Sequence, residues 1–107
     1  MITERLRSLV DAIAEDTRME IVEALAEGPL SHKGILRKIE RVYTVWYHLT
    51  VLRSAGIVIQ TELGPRDYTY RLNPDALIEI SEWLRTCVER ARLIEPERET
   101  AKQQRLF

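Results

Sequence analysis

The chain carries a single cysteine, Cys87, among its 107 residues, which excludes an internal disulfide framework and any metal centre built on several thiolates. No apolar run approaches the roughly 20 residues that a membrane span requires. The opening Met1-Ile2-Thr3-Glu4-Arg5-Leu6-Arg7 lacks the uninterrupted apolar core of a secretion signal. A glycine-rich phosphate loop, a nucleophile motif and a carboxylate pair suited to acid–base chemistry are missing too. These absences point away from an enzyme, a membrane protein and a secreted protein, and toward a cytoplasmic binder that uses no cofactor.

An overall excess of positive charge is also absent. The net charge is −1, so the chain is no globally basic polyanion binder. Its distribution is uneven, however. Residues 1–30 sum to −4 and residues 55–107 to −1, whereas residues 31–54 set Lys33, Arg37, Lys38, Arg41 and Arg53 against Glu40 alone and sum to +4. A local field of this kind attracts polyanions even where the total does not. With 45% apolar and 31% charged residues, the chain reads as one domain over residues 1–95 and a charged tail over 96–107 that is expected to fray.

Periodicity predicts five helices and one hairpin. Thr3 caps a first helix that runs to about Ala14 and turns Leu6, Leu9, Val10 and Ile13 inward. Asp16 or Thr17 caps a second, with Met19, Val22 and Leu25 as its apolar stripe, Ile21 beside it and Gly28-Pro29 as its stop. Ser31 opens a short third helix with Ile35, Leu36 and Ile39 inward. The fourth runs from about Val42 to Ala55, buries Val45, Leu49 and Leu52, and ends at Gly56. Two β-branched runs within residues 57–72 flank the turn Gly64-Pro65-Arg66-Asp67, and Asn73-Pro74 starts a last helix reaching at least Ile94. Helix, helix, helix-turn-helix, hairpin, helix is the order of a winged helix-turn-helix, mainly α with a small β-hairpin.

Such a motif keeps one face of its second helix in the core and sends the other into the major groove. Opposite Val45, Leu49 and Leu52 stand Tyr43, Thr44, Tyr47 and Thr50, with Trp46 and Val51 toward the edge and Arg41 just ahead of the helix. Arg41, Tyr43, Thr44, Trp46 and Tyr47 are therefore the candidate base contacts. The face is unusual, because base readout normally leans on Arg, Lys, Asn and Gln. Here hydroxyls can donate to bases or phosphates, and ring edges can meet thymine methyl groups. The candidate phosphate contacts are Ser31, Lys33, Arg37, Lys38, Thr50 and Arg53, with Arg66 at the hairpin tip as the wing cation. Two alternatives remain for the aromatics: packing of Tyr43 and Trp46 against neighbouring helices, or use of Tyr43, Trp46 and Tyr47 as the anchor patch of a protein-interaction module.

Several strings resemble the ArsR-type winged-helix transcriptional regulators: Asp16-Thr17-Arg18 with Ile21, Val22 and Leu25; Gly28-Pro29-Leu30-Ser31; Tyr47-His48-Leu49 with Val51-Leu52-Arg53 and Ala55-Gly56-Ile57-Val58; and Leu72-Asn73-Pro74 with Ala76-Leu77. The resemblance covers roughly residues 6–88. It implies a sequence-specific regulator of double-stranded DNA, more naturally a repressor than an activator, because occlusion needs no activation surface. It also makes His48 the recognition-helix histidine, which touches a phosphate or else bonds within the fold. The metal-sensing members' ligands are absent: residues 31–39 hold no cysteine and residues 74–107 no histidine, so no metal is expected. Glu40-Arg41 replaces a small Gly-x-Ser turn and shortens the connection by about one residue. The resemblance further implies a homodimer formed by the first and last helices. Leu6 and Leu9 would meet the long stripe of Leu77, Ile80, Trp83, Leu84, Cys87, Val88 and Ala91, a stripe longer than one small core needs. Cys87 would then be a small buried hydrophobe, or an intersubunit thiol if it lies near the two-fold axis.

Overall fold

The computed structural model describes residues 2–39 and 44–102, and side chains as far as residue 94. Its elements are α1 (Glu4–Ile13), α2 (Asp16–Leu25), β1 (Leu30–Ser31), α3 (His32–Lys38), α4 (Val45–Ser54), β2 (Val58–Gly64), β3 (Asp67–Leu72) and α5 (Pro74–Lys102). Arg41 and Tyr43, two of the expected base contacts, lie outside the described residues, as does the expected helix start at Val42. No helix among the described residues is long and apolar enough to cross a membrane.

Helix boundaries follow from their caps. The Thr3 hydroxyl accepts from Leu6 N–H at 3.0 Å and starts α1. The α2 cap is Glu15, one residue earlier than expected, its carboxylate accepting from Arg18 N–H at 2.9 Å. Ser31 Oγ accepts from Gly34 N–H at 3.1 Å and starts α3. After α4 the chain turns through Gly56 at φ 82°. There Ile57 N–H bonds Leu52 O and Gly56 N–H bonds Arg53 O, both at 3.0 Å. This paired arrangement requires a residue that enters the left-handed region without cost. Ile57 and Leu52, both fully buried, supply its usual hydrophobic contact. Asn73 then ties the turn to the last helix: its side-chain amide donates to Gly56 O at 2.9 Å and its carbonyl oxygen accepts from Asp75 N–H at 3.2 Å.

The core gathers Leu9, Ile21, Ile35, Val45, Leu49, Leu52, Ile57 and Tyr70, each at 0–1% exposure. Burial raises the pKa of the Tyr70 phenol. The two-residue strand β1 was not expected. Leu30 pairs with Tyr70 and Ser31 with Thr69, so β1 joins the hairpin in a three-stranded antiparallel sheet of order β1-β3-β2. That pairing fixes the start of α3 against the wing.

Two expectations need correction, and one element proves longer than its expected minimum. The buried face of α2 is Thr17, Ile21, Ala24 and Leu25, while Met19 is exposed. Small Ala24 lets neighbouring elements approach closely, a property that hydropathy does not rank. The last helix, expected to reach at least Ile94, continues through Pro96 to Lys102; Glu97, Arg98, Glu99, Ala101 and Lys102 are good helix formers. Leu9 is wholly inside its own domain's core and has no surface to offer a partner.

Candidate nucleic-acid interface

Helix α4 is held from behind by Val45, His48, Leu49 and Leu52, all buried. His48, expected either to touch a phosphate or to bond within the fold, is only 7% exposed. Its Nδ1 lies 2.8 Å from Arg18 Nη1. Arginine has no acceptor, so the imidazole nitrogen accepts. Arg18 Nε donates in turn to Ala12 O at 2.5 Å. One guanidinium thus joins the end of α1, the start of α2 and the middle of α4. The phosphate role is withdrawn, because the ring is turned inward and Arg18 occupies the nitrogen that faces it.

Glu15 completes this cluster, its Oε1 3.8 Å from His48 Nδ1. The hydrogen bond from Arg18 N–H is the main cause that holds the Glu15 carboxyl below its ordinary pKa of 4.5. A depressed carboxylate stabilises the fold above its unfolded pKa and loses that contribution as pH falls through its lower folded value. The expected result is that Glu15→Gln flattens the acid-side fall in the urea midpoint between about pH 6 and about pH 3. An unchanged acid limb in the variant would show that other carboxylates carry it.

The outer face of α4 presents Thr44, Trp46, Tyr47 and Thr50, all exposed. Trp46 and Tyr47 are 58% and 62% exposed, so packing against neighbouring helices does not account for either ring. Each still has one edge-on neighbour: His32 lies 6.5 Å from the Trp46 ring centre at 78°, and His48 lies 5.1 Å from the Tyr47 ring at 66°. The Thr50 hydroxyl donates to Trp46 O at 3.0 Å. A phosphate contact by Thr50 would have to replace that bond. Thr44 caps α4 without a side-chain hydrogen bond.

The cationic residues divide into free and engaged groups. Lys33 and Arg37 are exposed and make no ion pair with another described residue. Lys38 Nζ sits 2.6 Å from Glu27 Oε1 and depresses the Glu27 pKa. An exposed pair of this kind is worth about 0–1 kcal/mol, so a phosphate can displace it. Arg53 Nη1 donates to Gln60 Oε1 at 2.7 Å and braces α4 against the wing. Ser31, Lys33 and Arg66 line one cleft with Tyr68, so the sheet brings the start of α3 and the hairpin tip together. Sequence reasoning missed this proximity because it depends on β1. Arg66 adopts φ 60°, a left-handed conformation that costs a side-chain-bearing residue roughly 1–2 kcal/mol and that glycine would adopt freely.

Further from this face, the apolar stripe of α5 emerges from the domain. Leu77, Ile80 and Trp83 are half-buried, whereas Leu84, Cys87, Val88 and Ala91 are exposed. Cys87 is thus no buried hydrophobe within its own domain. Ile2, Leu6, Val10 and Trp83 line a cleft at the base of the stripe, and Arg5 Nε, 2.8 Å from Glu79 Oε1, pins α1 to α5 beside it. Among the described residues no three His, Cys, Asp or Glu side chains are grouped to hold a metal ion.

No protein-family model matches the chain. It is 35% identical over 92 residues, 80% of this chain and 85% of the relative, to the HTH-type transcriptional regulator Rv2034 of Mycobacterium tuberculosis. An ArsR-like transcriptional regulator from Rhodococcus sp. RHA1 superposes with a TM-score of 0.72 at 24% identity, covering 91% of this chain and 92% of that one. The homodimeric winged helix-turn-helix DNA-binding domain of Mb0332 from Mycobacterium bovis gives a TM-score of 0.63 at 22% identity, covering 86% and 84%. The chain therefore belongs to the HTH-type transcriptional regulators and has the winged-helix fold of their ArsR-type members.

Proposed function

We propose that the chain is a cytoplasmic, homodimeric regulator that binds double-stranded DNA sequence-specifically and represses transcription by occlusion, with no catalytic step of its own. The observation that carries this reading is the assembly of Ser31, Lys33 and Arg66 around one cleft beside the exposed outer face of α4. Helix α4 enters the major groove and its N-terminal turn meets the bases. Ser31, Lys33, Arg37, Lys38 and Arg53 hold the phosphates, and Arg66 follows the flank. Ser31 suits that role because its oxygen accepts the helix cap and its proton stays available to a phosphate. The left-handed arginine at the wing tip fits a position kept for its charge despite the backbone cost.

Residues 1–95 serve as one DNA-binding and dimerisation unit. The exposed half of the α5 stripe, with Leu6 and Trp83 at its base, forms the two-fold contact. A two-fold protein matches a palindromic pair of half-sites about one helical turn apart. The transcriptional-regulator relative favours this reading over use of Trp46 and Tyr47 as a protein-docking patch.

The experiment is selection of bound duplexes from a random pool at two salt concentrations. A palindromic consensus and affinity that falls steeply with salt are expected; absence of any selected duplex would sink the reading. Lys33→Ala combined with Arg37→Ala should weaken all sequences about equally and lower the log–log salt slope by about 2, roughly 0.9 for each phosphate that is no longer neutralised. An unchanged slope would show that neither side chain neutralises a phosphate.

A further inference from the structure

Described residues on the outer face of α4 include no amide, guanidinium or ammonium able to make a paired hydrogen bond to a base edge. They are Thr44, Trp46, Tyr47, Thr50 and Ser54; Arg53, beside them, is bonded to Gln60. The largest surfaces the helix offers are instead two aromatic rings, and each is backed by an imidazole. His32, reaching from α3, stands edge-on to Trp46. His48, locked by Arg18, stands edge-on to Tyr47. Both centroid separations fall within the range of favourable aromatic pairs. Each ring thus has one edge-on contact in the unbound chain and the rest of its surface open to a ligand.

The one methyl group in the major groove is the C5-methyl of thymine; cytosine carries only a C5–H there, and the purines are read by their hydrogen-bonding groups. Two exposed rings, on an outer face whose described residues include no free paired donor, match that group. We propose that α4 reads thymine methyl groups through Trp46 and Tyr47, so that this face contributes sequence preference by apolar contact. The proposal rests on the DNA-binding reading above and adds to it the chemical class of base feature that is recognised.

The test replaces each thymine of the selected duplex, one at a time, with deoxyuridine, which removes the methyl and leaves every hydrogen-bonding group in place. The native chain should lose about fourfold in affinity at one or more positions of each half-site, the factor that corresponds to one buried methylene-sized group. In Trp46→Ala or Tyr47→Ala the thymine-to-uridine ratio at the matching position should fall to about one while the salt slope is retained. Both side chains are exposed, and the series on the native chain does not depend on the variants. Tight, salt-dependent, sequence-selective binding that is indifferent to every deoxyuridine overturns the proposal and leaves the DNA-binding reading standing. So does a selected half-site without thymine, or a ratio preserved in both alanine variants. Failure to bind any duplex overturns the DNA-binding reading and this proposal with it.

Discussion

Leu49→Ala is expected to destabilise the chain by about 2–5 kcal/mol, the range for removing a leucine side chain from a packed core. Leu49 has no exposed surface and lies at the centre of the narrow stripe that holds α4. Its neighbours on that stripe, Val45 and Leu52, are equally buried and belong to the same core, so they cannot close the cavity without moving the helix. Small domains have about 5–15 kcal/mol of stability in total, and this loss consumes a large share of it. The urea midpoint reads it directly, with Tyr47→Ala on the opposite face as the comparison. Tyr47 is mostly in water, so its removal should change stability by about 0.5 kcal/mol or less while altering DNA selection. A Leu49→Ala loss below about 1 kcal/mol would mean that α4 is held by something other than its apolar stripe.

The same two faces show what was legible in the chain. Val45, Leu49 and Leu52 recur at helical spacing and end at Gly56, so periodicity and a terminator sufficed to place the helix and its buried side. The Asn73-Pro74 start and the hairpin turn were legible for the same reason: each is a local signal with a local cause. β1 was not, because two residues carry no period, and its existence depends on Tyr70 and Thr69 some 40 residues later. The α2 stripe was misassigned because Ala24 is buried by the approach of its neighbours and not by its own hydropathy.

Site residues divide along the same line. The exposed cations Lys33 and Arg37 were legible as charge in a run, and Trp46 and Tyr47 as large rings away from the stripe. The engagement of His48 with Arg18, 30 residues apart, and of Lys38 with Glu27 was not legible, since both partners are brought together only by the fold. The chain left His48 open between a phosphate contact and a bond within the fold; the fold takes the second, as an internal brace beside Tyr47.

Leu84→Asp together with Val88→Asp is expected to convert the dimer proposed above to a monomer and to reduce affinity for a palindromic site by about 10²–10⁴-fold. Their exposures, 51% and 47%, and their spacing of four residues place them together on one face of α5. Both side chains are already in water in the single chain, so the substitutions leave its core intact. In a two-fold contact the same positions would bring carboxylates from both protomers into an apolar interface, where unpaired charge is strongly disfavoured. Occupation of the first half-site delivers the second recognition helix at high effective concentration, and dissociation removes that advantage, which is the source of the expected factor. Sedimentation reads the mass and titration of a two-half-site duplex reads the affinity. Leu93→Asp is the control: Leu93 is more exposed, at 81%, but lies off the stripe, so generic loss of apolar surface would affect it equally. Retention of a two-chain mass in the double variant would place the dimer contact elsewhere, and a monomer that kept full affinity for the palindrome would show that pairing is unnecessary for binding.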